Sequence, residues 1–272
     1  NMAVAAQQIV ERGLAAQISQ GLGRASGEGV AQGEAMVMSY ALATGLKDAW
    51  RMAGKALKSG ETGSALGKID LVREPAISTQ TIAREKGMSL VELEAFQETG
   101  LGKAIDFMGT ATRLPGRALG AEDEFFKSIG YRMELHAQSL RMATGEGKKG
   151  KELFERMFEI VSNPPENIKI ASADAALLNT FTNEPGKWGQ AAMRFRSAGD
   201  YNPTFLVAPF LRTPINIFRY SFERTPIAPL VGQWRADVAA GGARADLALA
   251  KISIGAAVVS TAADMAYSGM IT

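Results

Sequence analysis

Apolar side chains along this chain are spaced as they are in α-helices. The clearest stripe, Phe126, Ile129, Met133, His136 and Leu140, advances by alternating steps of three and four residues, which places all five on one helix face. Similar spacing predicts further helices, at residues 2–20, 34–57, 89–114, 153–162, 214–223 and 243–267. Residues 59–75 are expected to form a loop with at most one short strand, at Ile69–Val72. The pattern therefore predicts an all-α, multi-helix chain.

Glycine and proline separate the predicted helices. The breaking segments are residues 21–33, 59–75, 114–116, 145–150 and 163–165. The chain holds 29 glycines in 272 residues, so its helices can approach one another closely but each needs neighbours to be stable. We expect extended or loosely bundled helices joined by Gly/Pro corners and assembled into an oligomer.

Several helix starts carry specific signals. Ser89 with Glu92 has the spacing of a capping box, and Glu122–Glu124 are expected in a first turn, where the helix dipole favours acidic groups. Arg212-Thr213-Pro214 and Arg224-Thr225-Pro226 each place threonine at a predicted N-cap and proline at the first helical position. These two corners predict a helix of about three turns followed by a new helix.

Three regions follow from these breaks. Residues 1–112 form an N-terminal helical region, residues 113–163 a helical hairpin-like region, and residues 164–272 a basic C-terminal helical region with the repeated Arg-Thr-Pro corners. The sequence opens on Asn1-Met2 with no secretory leader, which is typical of a segment of a longer polypeptide.

Composition excludes several kinds of site. The chain has no cysteine and one histidine, which removes disulfides, thiolate catalysis and metal sites based on Cys or His. Its net charge of +2 does not by itself indicate a nucleic-acid partner. We therefore expect no cofactor and no metal.

No catalytic constellation emerges from the motifs. Gly145–Gly150 matches a dinucleotide pattern, but a helix rather than a strand precedes it, so a loop is favoured. Gly63–Lys68 resembles a phosphate loop that is one residue short. His136 is interpreted as a core or interface residue, and Glu122–Glu124 diverge too much to flank one glycosidic bond. We expect no enzyme activity.

The C-terminal region offers candidate contacts for an anionic partner. Its candidate DNA- or lumen-facing basic residues are Arg194, Arg196, Arg212, Arg219, Arg224 and Arg235. They are compatible with an anionic surface, with DNA phosphates, or with a solvated helical surface that faces a protein partner. The uncharged runs Ala35–Leu46 and Ile252–Ala263 are twelve residues each, shorter than the ~18–20 residues of a conventional membrane span.

Two passages and the C-terminus resemble very large virion proteins of tailed bacteriophages. The passages are Arg113–Lys127 and Pro209–Pro214 with Glu223–Pro226, and the small-residue helix ends in Gly269-Met270-Ile271-Thr272. Together they span Arg113–Thr272 in matching order. None of the matching residues is catalytic, and residues 1–112 lie outside the resemblance.

The resemblance is to the internal virion, or DNA-ejection, proteins. It implies a structural component of a genome-ejection apparatus that forms a ring or tube through which DNA crosses the host envelope. The alternative is a helical segment attached to a lytic, peptidoglycan-degrading, or nucleic-acid-binding virion protein. The implied partners are further copies, other ejection proteins, double-stranded phage DNA bound without sequence specificity, and the host membrane. The implied location is the capsid interior before infection and the periplasm or inner membrane afterwards.

Overall fold

The structure, a computed structural model, describes residues 1–59, 78–184, 190 and 212–270. Ten α-helices lie in these segments, and no strand occurs in them, so the all-α prediction is confirmed. The helices are α1 (Met2–Gly21), α2 (Glu34–Ser59), α3 (Thr79–Lys86), α4 (Leu90–Glu98), α5 (Gly100–Gly145), α6 (Gly150–Ser162), α7 (Glu166–Asn179), α8 (Arg212–Phe222), α9 (Gly232–Ala240) and α10 (Gly242–Tyr267). The strand predicted at Ile69–Val72 lies outside the described residues.

The chain divides into two compact units. One comprises Asn1–Gly45 with Ile129–Thr272, and the other comprises Leu46–Ser128. Helix α5 is continuous across residue 112, where the sequence analysis placed a region boundary. The three predicted regions stay a prediction.

Two apolar clusters form the core of the larger unit. The first joins α2, α5, α6 and α7 and consists of Val37, Leu135, Leu140, Ala143, Met157, Ile160 and Ile168. The second joins α1 and α10 through small side chains and consists of Ala15, Ala16, Val30, Ala243 and Ala250. Alanine on both helices lets their backbones approach closely, which explains why this glycine- and alanine-rich sequence still forms a packed core.

The smaller unit has a minor core of its own. Ala53 and Ala56 of α2 pack with Ala121 and Phe125 of α5, and the rings of Trp50 and Phe125 lie 5.2 Å apart between centroids. Among the described residues of this unit, this cluster consists mainly of small side chains.

Several predicted helix ends are confirmed. Ser89 and Glu92 form both hydrogen bonds of the capping box at the start of α4. Helix α5 ends at Gly145 and α6 begins at Gly150, so the glycine pattern there is a loop between helices. Helix α6 ends at Ser162, immediately before Asn163-Pro164-Pro165.

Three predicted boundaries are wrong. The helix predicted to end at Leu114–Gly116 continues through them in α5, because the φ that proline fixes is itself helical and only one backbone hydrogen bond is lost. As a result, Glu122–Glu124 lie far inside α5 rather than in a first turn. Helix α8 already begins at Arg212, so Thr213 is not its N-cap.

The second Arg-Thr-Pro corner also differs from its prediction. The Thr225 hydroxyl donates to the Phe222 carbonyl (2.8 Å) instead of capping a new helix. The chain turns there and forms a short 3-10 helix at Ala228–Leu230 before α9 begins at Gly232. The predicted three-turn helix and sharp corner are nevertheless present in α8 and the turn that follows it.

Candidate interaction surface

The N-terminal helix carries two neighbouring buried charges that fix the C-terminal elements and α5 to it. Glu11 accepts two hydrogen bonds from the Arg224 guanidinium (Nε 2.6 Å and Nη2 2.9 Å). Arg224 also lies over the Tyr220 ring, with Cζ 3.3 Å from the ring centroid. Burial raises the pKa of Tyr220 to about 12, and the charges of Glu11 and Glu223 act in the same direction. The charge of Arg224 opposes this shift.

Arg12 is the centre of a second buried ion network. It donates to Glu34 of α2 (2.8 Å) and to Glu134 of α5, and Arg141 donates twice to the same Glu34. Burial alone would raise the pKa of Glu134, but the charges of Arg12 and Arg141 and hydrogen bonds from Gln138 and Arg12 outweigh it and lower that pKa. The network makes a single geometry of α1, α2 and α5 strongly preferred, since a lost partner would leave a buried charge uncompensated.

The first half of α10 is fully engaged within the larger unit. Asp246 has no exposed surface and accepts from Arg24 Nε (2.6 Å) and from the Val30 backbone N–H (3.2 Å). Trp234 of α9 donates its indole N–H to the Ala248 carbonyl (3.2 Å), and Lys251 forms an ion pair with Glu223. These contacts hold α10 from its start to Lys251.

Packing of α10 extends to Gly255 and stops a short way beyond it. A Cβ built at Gly255 would lie 1.4 Å from the Arg224 carbonyl oxygen, so glycine is required where the Arg-Thr-Pro corner crosses the helix. From Ala257 to Asp264 every residue is exposed. Val258 and Val259 keep 62% and 51% of their surface in solvent, and Tyr267 keeps 95%.

We call residues Ala257–Tyr267 the distal α10 surface. Asp264 is its only charged residue. Ser260, Thr261 and Asp264 lie on one side of the helix, and apolar side chains, among them Val258 and Val259, lie on the other. An exposed apolar helix face is normally covered by protein or lipid. The distal α10 surface is therefore the leading candidate interaction site among the described residues.

Helix α10 also has the length and composition of a membrane-spanning helix. Its best 18-residue window has a mean hydropathy of 1.4, and 22% of that window is buried. The sequence pattern predicts a segment too short to span a membrane, because only Ile252–Ala263 is uncharged. That uncharged run is about 18 Å long, less than the roughly 30 Å of a bilayer's hydrocarbon core.

The six predicted basic residues occupy different environments. Arg194 and Arg196 lie outside the described residues, and Arg212 starts α8, its side chain lying outside the described part of the chain. Arg219 forms an ion pair with Glu223 (3.1 Å), and Arg224 is buried against Glu11. Arg235 is exposed, and its recorded bond is to the Pro229 carbonyl (3.5 Å). The structure does not bring the described members of this set into one cluster.

The candidate chemical groups each make contacts within their own unit. His136 is buried; its Nδ1 lies 2.8 Å from the Arg132 carbonyl, and its ring packs against Tyr40 and Phe158. Burial, with the charge of Arg132, lowers its pKa despite that backbone hydrogen bond. Asp123 forms an ion pair with the buried Lys127 of the smaller unit. Within the described part of the chain no group of three Asp, Glu, His or Cys side chains is placed to hold a metal ion.

The buried charges are the residues that the sequence analysis missed. Glu11 and Arg12 are adjacent and charged in an otherwise alanine- and glutamine-rich helix, which was the available signal. Their ion-pair partners lie between 22 and 213 positions away in the sequence. Local spacing therefore could not predict which residues pair with Glu11 and Arg12.

Comparisons with known proteins found no match to this chain. No family model matches this chain, and no curated protein and no solved structure matches it either.

Proposed function

We propose that this chain is a structural subunit of a phage genome-ejection apparatus whose copies assemble into a ring or tube through which DNA crosses the host envelope. The observation that carries the proposal is the distal α10 surface, whose apolar face is exposed in one chain. The resemblance of Arg113–Thr272 to internal virion proteins supplies the biological setting.

The exposed end of α10 favours assembly on energetic grounds. Burying one valine side chain fully contributes about 1.5–3 kcal/mol, and Val258 and Val259 both remain largely exposed. An exposed apolar helix face is stabilised when a neighbour covers it. Repetition of one head-to-tail contact supplies such a neighbour to every copy and closes into a ring when the rotation allows.

The proposal includes the surroundings in which assembly takes place. The subunit rides in the capsid before infection and works in the periplasm or inner membrane afterwards, together with other ejection proteins. The distal α10 surface then faces sister subunits, and its tip reaches the host membrane. Double-stranded DNA passes through the lumen without sequence-specific contacts, and the exposed Arg235 is the described arginine best placed to meet it.

The test is the mass of the purified full chain in buffer and in mild detergent, measured by light scattering and analytical ultracentrifugation. We expect a discrete oligomer in at least one medium. Val258→Glu should shift the mass to that of a monomer, because a carboxylate buried in the contact would cost several kcal/mol. Val91→Glu is the matched control, since Val91 is also a helical valine and is 76% exposed.

The outcomes separate cleanly. A wild-type chain that is monomeric in both media overturns the proposal. Equal loss of mass in Val258→Glu and Val91→Glu would mean that α10 is not the specific contact. If the oligomer forms, electron microscopy should show a closed ring or tube with an opening wide enough for duplex DNA, and a solid particle would contradict the conduit.

A further inference from the structure

A groove of about 450 Å³ lies between two loops of the larger unit. One wall is the segment after α1, from Arg24 to Gln32, and the other is the turn between α5 and α6, from Gly147 to Gly150. Its volume falls within the roughly 300–1,000 Å³ of small-molecule sites. The groove does not involve the distal α10 surface.

Glycine brings the two loops into direct backbone contact. Gly27 has a φ of +87°, and a Cβ on it would lie 2.6 Å from the Gly145 Cα. Gly147 and Gly150 also have positive φ, at +77° and +56°. Gly145 therefore allows the close approach of the two loops, and Gly147 and Gly150 supply the left-handed backbone of the turn. These roles differ from the βαβ turn of a dinucleotide fold.

The lining of the groove is basic and rich in hydrogen-bond donors. Arg24, Lys148 and Lys149 line it together with the amide side chains of Gln20 and Gln32, and no carboxylate is among the lining residues. Acids next to the groove offset part of this charge. Asp246 accepts from Arg24 Nε, and Glu152 lies 3.6 Å from Lys148 Nζ in a solvent-exposed pair, which is a weak interaction. Glu146 also interacts with the charge of Lys148, and Glu28 lies within the first wall segment.

Lys149 gives the groove its remaining charge. It is exposed, lines the groove and forms no ion pair with any residue that the structure describes. Ala16, Val30 and Leu153 supply an apolar wall on the same groove. Cations and amides beside an apolar wall are the combination that accepts a phosphate group attached to a ring or base.

We propose that this groove binds a phosphate-bearing ligand, with Lys148, Lys149 and Arg24 as its cationic contacts. The shared chemistry is a phosphate ester, and it has two sources: a free nucleotide, or the backbone phosphate of a nucleic acid. The proposal stands independently of the assembly proposal, because it uses different residues and a different measurement.

Calorimetric titration of the full chain tests the groove with three named probes: orthophosphate, ADP and a short DNA duplex. The double variant Lys148→Gln/Lys149→Gln should weaken binding by about tenfold or more, since charge-assisted hydrogen bonds to phosphate are stronger than neutral ones. Lys151→Gln is the matched control, because Lys151 is in the first turn of α6, is exposed, and does not line the groove. It should leave affinity within about twofold.

Each result decides something. Binding of ADP without the duplex identifies a free phosphate ester, and binding of the duplex without ADP identifies a nucleic-acid backbone. The proposal is overturned if none of the probes binds, if the double variant binds as well as the wild type, or if Lys151→Gln weakens binding equally. Thermal melting of every variant confirms that a loss of binding is not a loss of folding.

Discussion

At the scale of single residues, the buried charges of α1 determine where the C-terminal elements lie. Glu11 and Arg224 are both almost fully buried, and the guanidinium satisfies both carboxylate oxygens. Such a pair adds little net stability over an apolar pair of similar volume, but removal of one member leaves the other charged and without compensation. The pair therefore acts mainly to exclude other arrangements of α1 and the Arg-Thr-Pro corner.

Replacing one member of this pair tests that view. Arg224→Met should lower the free energy of unfolding by about 3–5 kcal/mol, because Glu11 stays buried without its partner. The double variant Arg224→Met/Glu11→Met should recover most of that loss. Urea denaturation followed by circular dichroism provides the measurement.

An exposed arginine gives the control for Arg224. Arg156 binds Glu146 and Glu159 at the surface, so Arg156→Met should leave stability nearly unchanged. If Arg224→Met behaved like Arg156→Met, the buried pair would have no role in holding α8 to α1.

At the scale of elements, the sequence predicted most helices and some of their ends, and it failed where packing decides. The Ser89 capping box and the Asn163-Pro164-Pro165 stop are local, and both are present. The break at Pro115 was wrong because one proline does not force a helix to end. The sequence predicted the candidate surface only in part. It showed the uncharged run of α10, but the exposure of that run depends on where the packing of α10 against α1 ends.

Gly255 marks that limit and supports a prediction. Gly255→Ala should destabilise the larger unit, because the new methyl group would overlap the Arg224 carbonyl, a backbone atom that cannot move cheaply. Gly54→Ala is the matched control: Gly54 is also helical and has open space around it. That change should stabilise the chain by about 0.5–1 kcal/mol. Thermal melting of both variants measures the difference, and equal shifts would contradict the close approach.

At the scale of the whole molecule, positive charge is divided between folding and surface. Arg12 and Arg224 pair with buried carboxylates inside the chain, so they are not available to a partner. Arg235 is exposed, and it forms no ion pair with any described residue. The net charge of +2 therefore does not show which arginines are able to contact DNA.

The salt dependence of DNA binding distinguishes these two groups of arginines. If duplex DNA contacts Arg235 in the assembled protein, Arg235→Gln should make the slope of log affinity against log salt shallower by about 0.9, the value for one lost phosphate contact. Arg156→Gln removes an arginine that is already paired with two glutamates, so it should leave the slope unchanged. Fluorescence anisotropy of a labelled duplex over a series of KCl concentrations gives both slopes. A wild-type slope near zero, or equal effects of the two substitutions, would mean that Arg235 does not face DNA. The lumen would then have to be lined by other elements of the chain.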